Sequence, residues 1–313
     1  MSKMATRESF GIALKELAEK NQDVVALNAD ISKSTKTDVL RNYDPSRHFN
    51  MGIAEANMIG VAAGLAVSGK IPFASSFAMF AAGRAFEQIR NSVAYPHLNV
   101  KICVSNAGLS DGPDGATHQC NEDIALMRVI PGMTVIQPCD DIETRKAMEA
   151  IAEYQGPVYL RLGRAPVEDV NDENYEFHLG KAVIVHEGKT DITVFATGVM
   201  VQNSLKAVNI LNEKGIDPTI INIHTIKPLD EKTVIEYAAK SRLIVSAEEH
   251  SIIGGLGSAI SEVLSQKCPS RQLFIGVKDV FGESGTVEQL YDKYGISAEK
   301  IAANIEKAAL ELL

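Results

Sequence analysis

Glu55 is the side chain of this sequence best placed to handle a proton. It opens a predicted helix, Glu55–Val67, whose other residues are uncharged and almost all small or apolar. A helix of this composition is expected to be buried on nearly every side. A carboxylate in such surroundings loses hydration, holds its proton more tightly than in water and needs a specific partner. Glu55 is therefore either an acid that stabilises the start of a helix or a proton-handling site.

Two further segments place polar or aromatic side chains directly after predicted strands. Asp30 and Ser34 follow a strand over residues 24–28, and Phe77 and Phe80 follow a strand over residues 71–75. Ligands of open α/β sheets bind at the carboxyl ends of the strands, so these side chains are candidates for a ligand cleft. Taken singly, they also fit a turn acid, a helix cap and two core phenylalanines.

A long polar loop rich in glycine spans residues 105–119 and contains Asn106, Asp114 and His118. Long ordered loops are often functional, whereas the simpler alternative is that Asp114 and His118 only brace the loop. A second Gly-rich run, at residues 254–257, lacks the spacing of the dinucleotide-binding fingerprint. This run is predicted to serve tight packing or a subunit contact.

The composition excludes several classes of partner. The formal net charge of −9 argues against a nucleic-acid surface, and no apolar run is long enough to cross a membrane. The four cysteines lie far apart, without the paired spacing of a zinc site, and the first residues lack the apolar core of a secretion signal. We therefore expect a cytoplasmic protein without a metal site of its own.

Short apolar runs alternate with amphipathic helical patterns, which is typical of parallel α/β layers. The alternation lapses in a polar, acidic stretch between residues 165 and 191 and then resumes. The fold class is therefore predicted to be α/β, with two successive α/β domains. Their expected bounds are 1–168 and 191–313, with a linker over residues 169–190.

Several segments, in this order, resemble the transketolase family over essentially the whole chain. They are residues 52–58, 76–80, 114–119, 138–140, 156–164, 226–230 and 281–285. The sequence is most similar to the C-terminal subunit of a split, two-gene transketolase. The resemblance implies a pyrimidine-binding domain that binds thiamine diphosphate, followed by a transketolase C-terminal domain.

The resemblance implies a catalytic role for the buried acid Glu55. It implies that Glu55 hydrogen-bonds N1′ of the cofactor's aminopyrimidine and favours the imino tautomer, whose N4′ removes the proton from C2 of the thiazolium. Phe80 would stack on the pyrimidine, and Phe77 would lie beside it. Asp30 would line the cofactor side of the cleft.

The resemblance also assigns side chains to a sugar phosphate substrate. Asp114 and His118 would contact sugar hydroxyls, and His118 would also assist proton movements at the reacting carbonyl. Arg7, Ser34 and Arg164 match positions that hold the phosphate, where arginine offers a permanently charged, bidentate clamp. We therefore expect the polar loop and the start of the chain to meet at one substrate site.

Two positions depart from the family pattern, and one family motif is missing. Asn106 stands where the family has a phosphate-binding histidine, and Gly83 replaces a third aromatic residue. The sequence contains no Gly-Asp-Gly followed by asparagine, the motif that holds the diphosphate and the metal. The resemblance thus implies an N-terminal partner subunit that carries Mg²⁺ or Ca²⁺, in a two-plus-two heterotetramer with self-association.

These features predict a transferase of the pentose phosphate pathway that is active only with its partner subunit. It would move a two-carbon ketol unit from a ketose phosphate to an aldose phosphate. The alternatives are the beta subunit of a 2-oxo acid dehydrogenase decarboxylase and an enzyme similar to deoxyxylulose-phosphate synthase. From another class, the chain could be a non-catalytic scaffold subunit, but that function predicts loss of the acid at Glu55.

Overall fold

Runs of apolar residues form the strands of three sheets in the computed structural model, which describes residues 3–312. The strands are β1 (Lys3–Ala5), β2 (Val24–Asn28), β3 (His48–Asn50), β4 (Ile71–Ser75), β5 (Lys101–Val104), β6 (Thr134–Ile136), β7 (Val158–Arg161), β8 (Pro166–Glu168), β9 (Val183–His186), β10 (Ile192–Ala196), β11 (Thr219–Asn222), β12 (Thr225–Lys227), β13 (Leu243–Ser251) and β14 (Gln272–Val277).

Helices with one apolar face cover the two larger sheets. They are α1 (Thr6–Lys20), α2 (Ser32–Thr35), α3 (Asp38–Tyr43), α4 (Glu55–Val67), α5 (Phe86–Gln88), α6 (Asp123–Arg128), α7 (Asp141–Glu153), α8 (Met200–Asn212), α9 (Glu231–Ala238), α10 (Leu256–Lys267), α11 (Val287–Lys293) and α12 (Ala298–Leu310). Short 3₁₀ turns add Pro45–Arg47 and Leu109–Asp114. The predicted α/β class is therefore confirmed.

The first large sheet brings the candidate residues to one edge. Its strand order is β12-β6-β7-β5-β4-β2-β3, and the strands from β2 to β7 within it run parallel. Asn28, the last residue of β2, pairs with Asn50 of β3 and with Ser75 of β4. The segments that follow these strands therefore start side by side, as the rule for open α/β sheets requires.

The second large sheet has the order β14-β13-β10-β11-β9, in which β9 is antiparallel to β11. Strand β9 lies within the segment that we expected to connect the two domains, at a short run with β-like sequence over residues 182–185. Conversely, β12 belongs to the second half of the chain but pairs antiparallel with β6 of the first sheet. The two halves of the chain are thus joined by shared sheet structure as well as by the connection.

Helix α4 is buried on one side only, which corrects the expectation that nearly every side would be covered. Its inner face carries Glu55 and Met58 and packs on the core of the first sheet. On the outer face, Val67 is 72 % exposed, and a Cβ added at Gly60 or Gly64 would meet no atom within 4 Å. The uniformly apolar sequence therefore includes a face that stays open in the single chain.

Residues 79–94 do not form one regular helix. Helix α5 is flanked by two π-helical segments, Met79–Arg84 and Ile89–Ala94. Such π-helical turns are rare in proteins, but those that occur often lie at functional sites. The first of them carries Phe80 and Arg84, and both side chains belong to the site described next.

Candidate active site

Glu55 begins helix α4 and is almost completely buried, with 2 % of its surface exposed. Its Oε2 accepts a hydrogen bond from Arg84 Nη1 at 2.9 Å, and its Oε1 accepts a long one from Ser76 Oγ at 3.4 Å. The specific partner that burial of this acid demands is therefore Arg84, whose side chain is 51 % exposed. The sequence pattern had not identified either partner.

An aromatic wall stands beside this ion pair. The rings of Phe77 and Phe80 are stacked with centroids 6.0 Å apart, and the His118 ring meets the Phe80 ring edge-on at 5.4 Å. The Arg84 guanidinium lies over the Phe80 ring, 4.7 Å from its centroid. Arg84 therefore connects the buried carboxylate to the wall and brings α4, the segment after β4 and the loop after β5 together at one site.

Asp30 and Ser34 follow β2, which pairs with β4, the strand that precedes Phe77 and Phe80. Asp30 has a positive φ of 65° and exchanges hydrogen bonds with Asn50, whose Nδ2 donates to Asp30 Oδ1 at 2.8 Å. Ser34 lies in the short helix α2 and accepts a hydrogen bond on its main-chain oxygen from Arg7 Nη1 at 3.3 Å. Among residues 3–312, no hydrogen bond or ion pair joins Asp30 or Ser34 to Glu55 or to the aromatic wall of Phe77, Phe80 and His118.

A second group of candidate residues meets around Arg164. Its Nη1 donates to Asp111 Oδ1 at 2.7 Å and to Asp114 Oδ2 at 2.9 Å. Asn106 donates from Nδ2 to the same Asp111 Oδ1 at 2.6 Å and accepts on its own Oδ1 from Arg7 Nη1 at 3.4 Å. Four of the predicted substrate residues, namely Arg7, Asn106, Asp114 and Arg164, are thus brought together.

Burial and opposite charge shape the protonation of this group. Burial lowers the pKa of Arg7, and the like charge of Arg164 lowers it further. Burial also raises the pKa of Asp111, against the opposing hydrogen bonds from Arg164 and Asn106. The hydrogen bond to Asp111 raises the pKa of Arg164. The two carboxylates, Asp111 and Asp114, thus share this group with the two guanidinium groups of Arg7 and Arg164.

The second half of the chain holds the polar loop in place through Glu249 of β13. Glu249 is buried, and its Oε1 accepts a hydrogen bond from the Ser110 main-chain nitrogen at 2.6 Å. Burial raises the pKa of Glu249 to about 7, and the positive charge of Arg161 opposes that rise. Gly108 fits against this side chain because a Cβ there would lie 2.5 Å from Glu249 Cδ.

The sequence pattern did not identify Asp111, Arg84 or Glu249 as site residues. Of these three, only Glu249 lies in a segment whose sequence is unusual. Glu249 belongs to the unusual run Glu248-Glu249-His250 inside an otherwise apolar strand. Asp111 looked like one more polar residue of the loop. Arg84 reaches Glu55 from a π-helical turn, which a sequence pattern does not reveal.

Two structural searches of residues 3–312 bear on the class of site. No group of three or more histidine, cysteine, aspartate or glutamate side chains is arranged to hold a metal ion in this part of the chain. Among the same residues, no helix combines the length and apolar character that crossing a bilayer requires.

The residues around Glu55 fit an aromatic nitrogen heterocycle. A buried carboxylate can share a proton with a ring nitrogen, and its hydrogen bond is stronger in such a site than in water. The exposed face of a phenylalanine supplies a surface on which a ring can stack. Glu55 supplies the buried carboxylate, and Phe80 supplies the ring. The two residues belong to one site, since the Arg84 side chain contacts both of them.

Comparisons with known proteins agree with this geometry. Residues 2–168 match the transketolase pyrimidine-binding domain, and residues 180–301 match the transketolase C-terminal domain. A 6-deoxy-6-sulfo-D-fructose transketolase subunit from a Clostridium species is 45 % identical over 94 % of this chain and 91 % of that protein. An apulose-4-phosphate transketolase subunit from Phocaeicola vulgatus is 38 % identical over 99 % of this chain and 98 % of that protein.

A solved structure shows the same fold. The split-gene transketolase described as an inactive beta4 tetramer is 48 % identical, with a TM-score of 0.90, over 97 % of this chain and 98 % of that chain. An α/β chain with a buried acid beside an aromatic wall thus matches a class of thiamine-diphosphate-dependent transferase subunits. The chain belongs to the transketolase family and is similar along its whole length to C-terminal subunits of split transketolases.

Proposed function

We propose that this chain is the C-terminal subunit of a transketolase that moves a two-carbon ketol unit from a ketose phosphate to an aldose phosphate. The observation that carries this proposal is the buried carboxylate of Glu55 beside the ring of Phe80. A non-catalytic scaffold has no need for an acid kept out of water at a helix start. Two relatives are named as transketolase subunits for 6-deoxy-6-sulfo-D-fructose and for apulose-4-phosphate, and these names support a substrate with an anionic group.

Glu55 would hold the aminopyrimidine of thiamine diphosphate through its ring nitrogen N1′ and share a proton with it. When bound, the cofactor supplies the carbon nucleophile and the electron sink of the reaction. Ser76, which donates to Glu55 Oε1, would keep this oxygen in place. Phe80 would stack on the ring with Phe77 beside it, and Asp30 would line the cofactor side of the cleft.

The residues around Arg164 would bind the sugar phosphate. Arg7 and Arg164 offer two positive charges for the phosphate, and Asp114 would contact sugar hydroxyls. His118, whose ring lies against Phe80, would contact hydroxyls near the reacting carbonyl and assist proton movements there. The full set proposed to bind substrate is Arg7, Ser34, Asn106, Asp114, His118 and Arg164.

An N-terminal partner subunit would hold the diphosphate and Mg²⁺ or Ca²⁺. The absence of a Gly-Asp-Gly motif from this sequence supports a partner, and so does the related split-gene chain, which is inactive as a tetramer of beta subunits alone. The open outer face of α4 at Gly60 and Gly64 offers a surface for self-association. We therefore propose a two-plus-two heterotetramer.

The remaining parts of the proposal concern domains and location. We propose a pyrimidine-binding domain over residues 1–168, a linker over 169–190 and a C-terminal domain over 191–313. A cytoplasmic location and a role in the pentose phosphate pathway complete the proposal. The free thiols of Cys103, Cys120 and Cys139 are buried and favour a reducing compartment.

Reconstitution tests the proposal. The purified chain, supplied with thiamine diphosphate and Mg²⁺, should show no ketol transfer until an N-terminal subunit carrying Gly-Asp-Gly is added. The reason is that this chain would bind the aminopyrimidine end of the cofactor and the partner subunit would bind its diphosphate end. Ketol transfer is measured with a panel of ketose and aldose phosphates, and robust turnover by the isolated chain would refute the partner dependence.

A further inference from the structure

Asp111 occupies an unusual position within the group around Arg164. Its side chain is completely buried, although it lies in a polar loop. Its Oδ1 accepts from both Arg164 and Asn106, at 2.7 and 2.6 Å, and its main-chain oxygen also accepts from Arg164 at 3.0 Å. One carboxylate oxygen thus takes up Arg164 Nη1 and Asn106 Nδ2, two donors that would otherwise be open to an incoming anion.

The charges of this group cancel before any ligand binds. Arg7 and Arg164 contribute two positive charges, and Asp111 and Asp114 contribute two negative charges, with Asp114 on the same guanidinium nitrogen as Asp111. A phosphate dianion that approached Arg164 would meet the Asp111 carboxylate at close range. Phosphate binding there would require the Asp111 side chain to move away or to take up a proton.

The second oxygen of Asp111 points to a different kind of ligand group. Within residues 3–312, Oδ2 is buried and has no hydrogen-bond partner. An unpartnered buried carboxylate oxygen is costly and is stabilised by a donor such as a hydroxyl. Arg7, Asp111 and Arg164 line an open cleft of about 580 Å³, so that a sugar end in the cleft would lie close to this group of charges.

We propose that Asp111 is a specificity-determining residue that occupies Arg164 Nη1 in place of a substrate phosphate, adds a negative charge there and so weakens selection for phosphorylated over unphosphorylated sugar ends. The inference rests on the proposed function, because it takes the Arg164 group as the substrate site. It extends that function by assigning a role to a residue that the family resemblance does not single out. The charge of Asp111 repels a phosphate dianion in the cleft, whereas an unphosphorylated sugar end carries no charge to be repelled.

Binding of inorganic phosphate to the full chain tests this inference without any need for turnover. Asp111→Asn keeps the shape and the acceptor Oδ1 but removes the charge, so phosphate should bind at least tenfold more tightly in calorimetric titrations at constant ionic strength. Asp111→Ala, which removes both oxygens, should also bind phosphate more tightly than the native chain. Adding Arg164→Gln to either variant should abolish the gain.

A matched charge control separates the site from a general effect of net charge. Asp292 is exposed on α11, and Asp292→Asn changes the net charge by the same amount. The inference is wrong if Asp111→Asn and Asp111→Ala, shown by thermal melting to be folded, bind phosphate no better than the native chain or Asp292→Asn. A gain that survives the loss of Arg164 would also refute it. Lack of ketol transfer in the assembled enzyme would instead refute the proposed function and leave the binding result standing.

Discussion

At the scale of single residues, the site depends on how one buried carboxylate is stabilised. Glu55 has 2 % of its surface exposed, and the charged group that faces it is Arg84, which is half exposed and also covers the Phe80 ring. Removing one partner of such a pair leaves a buried charge whose desolvation is no longer offset. The pair should therefore show strong coupling in a double-mutant cycle.

Arg84→Ala should lower the free energy of unfolding by about 1–3 kcal/mol, because Glu55 loses its charged partner. Glu55→Gln should cost less, and the double variant should be more stable than the sum of the two single effects predicts. Urea unfolding followed by circular dichroism measures all four proteins. Additive effects of the two substitutions would contradict the description of Glu55 and Arg84 as a coupled pair.

At the scale of elements, the loop that carries Asn106, Asp111 and Asp114 is held in place by hydrogen bonds to residues of the second half of the chain. Glu249 of β13 binds the main chain of Ser110. Gln119 likewise donates to the main-chain oxygen of Glu283, which follows the second sheet. The position of the polar loop after β5 therefore depends on strands and turns from the other half of the chain.

Gly108→Ala should test this dependence. Gly108 has a φ of +73°, and a Cβ there would lie 2.5 Å from Glu249 Cδ and 2.8 Å from the Glu249 main-chain oxygen. Gly215 is a matched control, since its φ is +75° but no atom lies within 4 Å of a Cβ. Gly215→Ala should cost roughly 1–2 kcal/mol from backbone strain alone, and Gly108→Ala clearly more. Thermal melting compares the two, and equal losses would contradict the close packing.

At the scale of the whole molecule, the sequence predicted the α/β class and the regular elements well. The bounds of α4 and β4, predicted from their runs of apolar residues, coincide with the structure. These elements were predictable because local pattern and tertiary packing favour the same structure. The family resemblance rested on short motifs, and the comparisons confirmed it.

The remaining features depend on contacts between distant parts of the chain. Strand β12 joins the first sheet from the second half, and Arg84 reaches Glu55 from a π-helical turn. Asp111 becomes exceptional only when Arg164, 53 residues later, folds against it. Local patterns carry no signal of such pairings, because nothing in the spacing of residues tells which distant charge will neutralise another.

We propose that Glu55 activates the cofactor of a transketolase, and this role can be tested directly. The most direct measurement is the turnover number of Glu55→Gln in the complex with the N-terminal subunit, together with thiamine diphosphate binding to the same complex. Loss of a positioned proton-sharing group should lower turnover by about 100-fold or more while the cofactor stays bound. Glu87→Gln, a change at an exposed acid on α5, should leave turnover unaltered. Turnover of Glu55→Gln close to that of the native complex would contradict the claim.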